Sequence, residues 1–145
     1  MTKRFAIVLL FFLITSVSFA DSIDSTDQTK LLSDKMINHF VKKEFQEGLA
    51  LAKPYWPLPE VEIDGLANQI ATQWPIVDQR FGISTGKEFI REEKLGKSFI
   101  RYYYLHKFQN HAIYWLITFY RPSDKWKVNG VTFKDDLEPL FKTVE

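Results

Sequence analysis

The sequence predicts an α+β domain, with two N-terminal helices packed on a curved antiparallel sheet of about four strands. Three observations carry this expectation. Apolar residues recur every three or four positions between residues 28 and 77, the spacing of a helix face. Past Gly86 the period changes to two, in stretches rich in β-branched and aromatic side chains. Short polar or glycine-containing turns separate those stretches, so consecutive strands pair as a meander.

The chain opens on Lys3 and Arg4, followed by an unbroken run of ten apolar residues, Phe5 to Ile14. Small residues then lead to Ser18-Phe19-Ala20. A basic start, an apolar run and small side chains before a cleavage point are the three parts of a secretory signal peptide. Ten apolar residues fall short of the about 20 needed to span a bilayer. Cleavage is expected between Ala20 and Asp21, which makes 1–20 the signal, leaves no stable membrane anchor and places the product in the periplasm or outside the cell. Residues 21–30 are expected as a loose lead-in and 31–145 as a single domain.

Asp27 or Thr26 can cap the first helix, because a side-chain oxygen there accepts a free backbone N–H. From Gln28 to Lys53, Leu32, Met36, Phe40, Ile37, Val41, Phe45, Leu49 and Ala52 form one apolar face, opposite Lys30, Asp34, Asn38, Lys42 and Gln46. Gly48 lies inside that face, where it either admits a close neighbour or loosens the last turn. Pro54, Pro57 and Pro59 stop the helix. Ile63, Leu66, Ile70, Trp74 and Val77 define a second helix over Glu60–Val77, with Pro75 ending or kinking it.

The strands follow as Lys87–Lys94, Ser98–Phe108, Ala112–Arg121 and Lys125–Phe133, with turns at Leu95-Gly96-Lys97, Gln109-Asn110-His111 and Pro122-Ser123-Asp124. Asp135–Lys142 reads as a short helix or strand. Ten of the 28 residues from Phe99 to Trp126 are aromatic. Alternation puts Ile113, Trp115, Ile117 and Phe119 on one face and Tyr114, Leu116, Thr118 and Tyr120 on the other. Both faces are apolar. One must take the helices. The other is either a central strand's ordinary packing surface, a pocket wall or a partner surface.

Composition narrows the chemistry. The chain has no cysteine, which removes disulfides, thiolate metal sites and cysteine nucleophiles. Residues 21–145 carry 17 basic and 18 acidic side chains, too balanced for a nucleic-acid partner. His39, His106 and His111 lack zinc-ligand spacing, so no metal is expected. No phosphate-binding glycine loop and no nucleophile elbow is present, so no cofactor is expected either. Glu92 and Glu93 point to opposite faces of their strand and cannot act as a dyad. Asp135 and Asp136 suit a cap on the final turn. If any groups did acid–base work, Tyr104, His106 and Asp136 would be the ones to test, with Tyr104 and His106 on one strand face. Arg101, Lys107, Arg121 and Lys125 give the sheet a mild basic tint, explained by solvated positions or by an anionic ligand or headgroup.

Certain local patterns carry a resemblance. They are Gly86-Lys87 before a strand, Leu95-Gly96-Lys97-Ser98, Arg101-x-x-Tyr104, His111, Trp115, Phe119-Tyr120-Arg121-Pro122, Trp126-x-Val128 and Phe133-x-Asp135-Asp136. Over about Leu31 to Phe141 the chain resembles uncharacterised small secreted bacterial proteins of the nuclear-transport-factor-like, or cystatin-like, α+β superfamily. The resemblance implies a cone-like sheet around helices. Binding modules use that fold, and so do ketosteroid isomerase and scytalone dehydratase. Two functions are therefore expected. The first is non-enzymatic binding of a small apolar ligand or a protein partner, with Arg101, Tyr103, Tyr114, Trp115, Tyr120 and Arg121 as the surface and a homodimer through the sheet. The alternative is a small isomerase or dehydratase using the Tyr, His and Asp groups.

Overall fold

The structure, a computed structural model, describes residues 22–141. The expected signal and its cleavage point, Ala20–Asp21, lie outside the described residues. Four α-helices and four strands follow in order: α1 Thr26–Phe40, α2 Phe45–Ala50, α3 Glu60–Phe81, β1 Ser84–Leu95, β2 Phe99–Phe108, β3 Ala112–Tyr120, β4 Lys127–Lys134 and α4 Glu138–Phe141. The sheet is a four-stranded antiparallel meander in the order β1-β2-β3-β4. The expected α+β layout of helices followed by a curved antiparallel sheet is what the chain adopts.

Residues 22–30 are built into the domain, unlike the loose lead-in expected from their polarity. Ile23 is buried and bridges Trp126, whose N–H donates to the Ile23 carbonyl at 2.9 Å. The cap of α1 is Ser25 rather than Thr26 or Asp27. Its Oγ accepts from the Gln28 N–H while Gln28 Oε1 accepts from the Ser25 N–H, a reciprocal capping box.

The single helix expected over 28–53 is two. After Phe40 the chain turns through Lys43, at φ 64°, in the left-handed region. The Lys43 N–H returns to the Phe40 carbonyl and the Glu44 N–H to the His39 carbonyl, both at 3.0 Å. This is a Schellman termination with lysine in the place usually held by glycine. The apolar face is conserved through the break, because α2 folds back on α1. Gly48 makes that possible: a Cβ there would lie 2.5 Å from Cε1 of Phe40. The close neighbour is thus a side chain.

Helix α3 runs four residues beyond the expected end, through Pro75 to Phe81. Proline removes one N–H, and its exposed position in the helix lets solvent take the orphaned carbonyl. Gly82, at φ 86°, then ends the helix.

Along β2 and β3, alternation holds. Ile100, Tyr102, Tyr104, His106, Ile113, Trp115, Ile117 and Phe119 face the helices and are almost completely buried. Trp115 is the centre of this layer. It stacks on Phe40 at 4.4 Å and lies 5.9 Å from Trp74 and 5.1 Å from Phe133. Such aromatic packing contributes about 0.5–1.5 kcal/mol per pair beyond burial itself.

Candidate functional site on the outer face of the sheet

The face turned away from α1–α3 carries Phe99, Arg101, Tyr103, Leu105 and Lys107 from β2, and Tyr114, Leu116, Thr118 and Tyr120 from β3. Strand β1 contributes Arg91, Glu93 and Leu95, paired with Tyr103, Arg101 and Phe99. A register shift between Phe89 and Arg91 decides this. Phe89 faces the helix side opposite Tyr104, yet Arg91, two residues on, faces outward. A bulge of this kind breaks strict alternation and re-aims a side chain.

At the centre of the face is a charged knot. Glu93 Oε2 accepts from Arg101 Nη2 at 3.0 Å, and Glu93 Oε1 accepts from Arg91 Nη2 at 3.2 Å. Arg91 also donates from Nη1 to the Leu140 carbonyl at 3.0 Å and from Nη2 to the Pro139 carbonyl at 3.1 Å. Its guanidinium lies 4.4 Å from the Tyr103 ring, which packs 5.9 Å from Tyr114. The C-terminal segment is thereby tied across this part of the face, and Tyr103 and Tyr114 are only 4% and 3% exposed. Burial raises both phenols above their ordinary value. Burial alone would raise Glu93 too, but the Tyr103 hydroxyl and the two guanidinium groups hold its carboxyl below the usual range. Arg91 and Glu93 were not among the residues expected at the site, because only the bulge puts Arg91 there.

Beyond the segment's reach the face stays open. Phe99 and Tyr120 stack at 4.7 Å, Tyr120 is 36% exposed and Leu95 is 72% exposed. A cleft of about 250 Å³ lies beside them, lined by Glu93, Lys94, Leu95, Phe99, Arg101 and Thr118 among others.

Of the six residues expected on this surface, Arg101 and Tyr120 lie open on it, and Tyr103 and Tyr114 lie on it under the C-terminal segment. Arg121 sits at the strand end, over the Trp126 ring. Trp115 does not belong to the surface. It is fully buried against the helices, because its position in β3 shares the phase of Ile113 and Ile117.

The three acid–base candidates occupy separate settings. The Tyr104 hydroxyl donates to Asp34 Oδ1 at 2.7 Å, an oxygen that Lys30 Nζ also reaches at 2.6 Å. Burial, reinforced by Asp34, pushes the Tyr104 phenol far above its ordinary value, so it holds its proton. His106 is 1% exposed, and burial lowers its pKa to about 4, so it is neutral at pH 7. Its Nδ1 lies 3.4 Å from the Trp115 indole nitrogen and its Nε2 lies 2.8 Å from Ser84 Oγ. An indole N–H only donates, so Nδ1 accepts and the imidazole proton sits on Nε2, pointing at Ser84. Ser84 and His106 form a pair that sequence spacing did not reveal. With the imidazole proton between them, His106 has no lone pair with which to activate the serine. Asp136 caps α4, accepting from the Glu138 N–H at 3.1 Å. Tyr104, His106 and Asp136 line none of the five surface clefts of 160 to 290 Å³ that surround Pro54, Leu95, Ile76, Gly96 and Leu31.

Among the described residues no group of three or more His, Asp or Glu side chains is placed to hold a metal ion, and no helix is long and apolar enough to cross a membrane. No protein-family model, no curated protein and no solved structure matches this chain.

Proposed function

We propose that the chain is an exported, non-enzymatic binding module of the nuclear-transport-factor-like type, working in the periplasm or outside the cell. Its working surface is the open part of the outer sheet face, and the occupant is a second copy of the same chain. The observation that carries this reading is the patch of exposed Leu95 and Tyr120 with half-buried Phe99 between them, beside the Glu93–Arg101 ion pair. An apolar patch bordered by an ion pair that is already neutralised within the chain can be laid against its own copy about a two-fold axis without burying an uncompensated charge. The two larger of these surface clefts, about 250 and 290 Å³, lie at the small end of the about 300–1,000 Å³ usual for enclosed ligand sites. The isomerase or dehydratase reading draws no support from Tyr104, His106 and Asp136, each of which is engaged in a structural role.

Sedimentation velocity tests the proposal. A concentration-dependent dimer that Tyr120→Glu dissociates supports it. A chain that stays monomeric, or whose native mass retains a small ligand, replaces it with the ligand-binding reading. Export is checked separately: the N-terminus of the protein recovered outside the cytoplasm should begin at Asp21.

A further inference from the structure

A second cleft, which adjoins the outer-face cleft and shares Lys94 and Phe99 with it, carries an inference of its own. Behind the β1–β2 turn is a cleft of about 160 Å³ whose lining includes Thr26, Lys94, Lys97, Phe99, Arg121 and Trp126. Three of these side chains are cations and none is an acid. We propose that this cleft binds a phosphate group, carried either by a small soluble ligand or by an anionic lipid headgroup.

Arg121 is already positioned for the task. Its guanidinium lies 4.8 Å from the Trp126 ring, and its Nη2 donates to the Lys97 carbonyl at 3.0 Å. Its backbone N–H also donates to the Ser98 carbonyl at 2.7 Å, which ties the strand end to the turn. The side chain is therefore fixed before any ligand arrives, and its remaining N–H groups are left for an oxyanion. Lys97 has no acidic partner among the described residues. Lys94 has one loose partner, Glu92 at 3.7 Å, with both groups half in solvent.

Two further features favour an anion. Thr26 is the first residue of the 15-residue α1, so the positive end of that helix dipole lies at the cleft. Trp126 is 4% exposed, yet its indole N–H has no acceptor. The indole nitrogen has almost no solvent-accessible surface and the same ring also walls the cleft lined by Tyr55 and Pro57, so an anion reaches this unpaired donor only if the ring turns toward it. Phe99, half-buried, supplies ring surface beside the cations, which suits a phosphate attached to an apolar or aromatic body.

The test follows amide and indole proton shifts of the full chain during titration with inorganic phosphate, with phenyl phosphate and with vesicles of phosphatidylglycerol or phosphatidylcholine. The Trp126 indole resonance is assigned from a Trp126→Phe variant. The site predicts saturable shifts at Gly96, Lys97 and the Trp126 indole, with phenyl phosphate binding more tightly than phosphate. Arg121→Gln should weaken binding about tenfold and Lys97→Gln about threefold, both with unchanged circular dichroism. Shifts with the soluble anions identify a small-ligand source. Arg121-dependent binding to phosphatidylglycerol vesicles alone identifies a headgroup. Linear, unsaturable shifts spread over all surface lysines, or binding indifferent to Arg121→Gln and Lys97→Gln, would overturn the proposal. Because the readout is anion binding, a failed dimer test does not affect it.

Discussion

Acidification acts on the fold through His106, a buried imidazole packed between Trp74 and Phe108 and bonded to Ser84 and Trp115. A proton on Nδ1 breaks the contact with the Trp115 indole and places a charge among aromatic rings. Burial therefore lowers the folded pKa to about 4, against the opposing pull of Asp78, from an ordinary value of 6.5. As the pH falls, the unfolded chain takes up the proton first. The stabilising effect is complete above pH 6.5, is eroded between 6.5 and 4, and is gone below 4. At about 1.4 kcal/mol per pH unit, the whole span corresponds to about 3 kcal/mol, of which about 2 kcal/mol is lost between pH 7 and pH 5. The comparison to make is urea unfolding of the wild type and His106→Gln at both pH values. Glutamine keeps a donor and an acceptor in the site and does not titrate. Carboxylates and the other histidines are common to both proteins and cancel. The variant should be less stable at pH 7, and the gap should close by about 2 kcal/mol at pH 5, a relative shift in urea midpoint of about 1 M. A gap that is equal at both pH values, or a His106 proton titration near 6.5, would refute the reasoning.

Gly48→Ala gains about 1 kcal/mol of helix propensity but drives a methyl into Phe40, whose ring is locked against Trp115. A net loss of about 1–3 kcal/mol in chemical denaturation is expected. Ser25→Ala removes the capping box of α1 and should cost about 1 kcal/mol by the same assay. Arg91→Ala releases the Pro139 and Leu140 carbonyls, so amide exchange across 137–141 should accelerate and the Tyr103 ring should become accessible to modification, with little change in the global midpoint.

The order of helices and strands was legible because hydrophobic period is a local property, and the turns at Gly96 and Asn110 are marked by their own residues. The break in the first helix was not. Its turn residue is Lys43, and nothing in His39 to Glu44 announces a left-handed position that is held by backbone bonds and by α2 folding back. Pro75 misled in the opposite direction, since a proline on the solvent side of a helix interrupts one bond without ending the element. Alternation separates Trp115 from Tyr114 and Tyr120, but with both faces apolar it does not say which one takes the helices, and a surface chosen by aromatic density alone wrongly includes the buried Trp115. Arg91 and Glu93 join Arg101 only because of the bulge after Phe89, a feature set by strand pairing. Ser84 meets His106 across two strands, and spacing along the chain does not report such a contact.

The central claim is that the open end of the outer sheet face is a self-complementary interface. The exposed patch is modest beside the about 800 Å² per partner of a stable complex, so the expected dimer is reversible and in the micromolar range. Sedimentation velocity from about 1 to 300 µM should show a single, concentration-dependent monomer–dimer equilibrium. Tyr120→Glu and Leu95→Glu should each abolish it while leaving the fold intact by circular dichroism. A chain that remains monomeric throughout, or a dimer that both substitutions leave unchanged, would contradict the account.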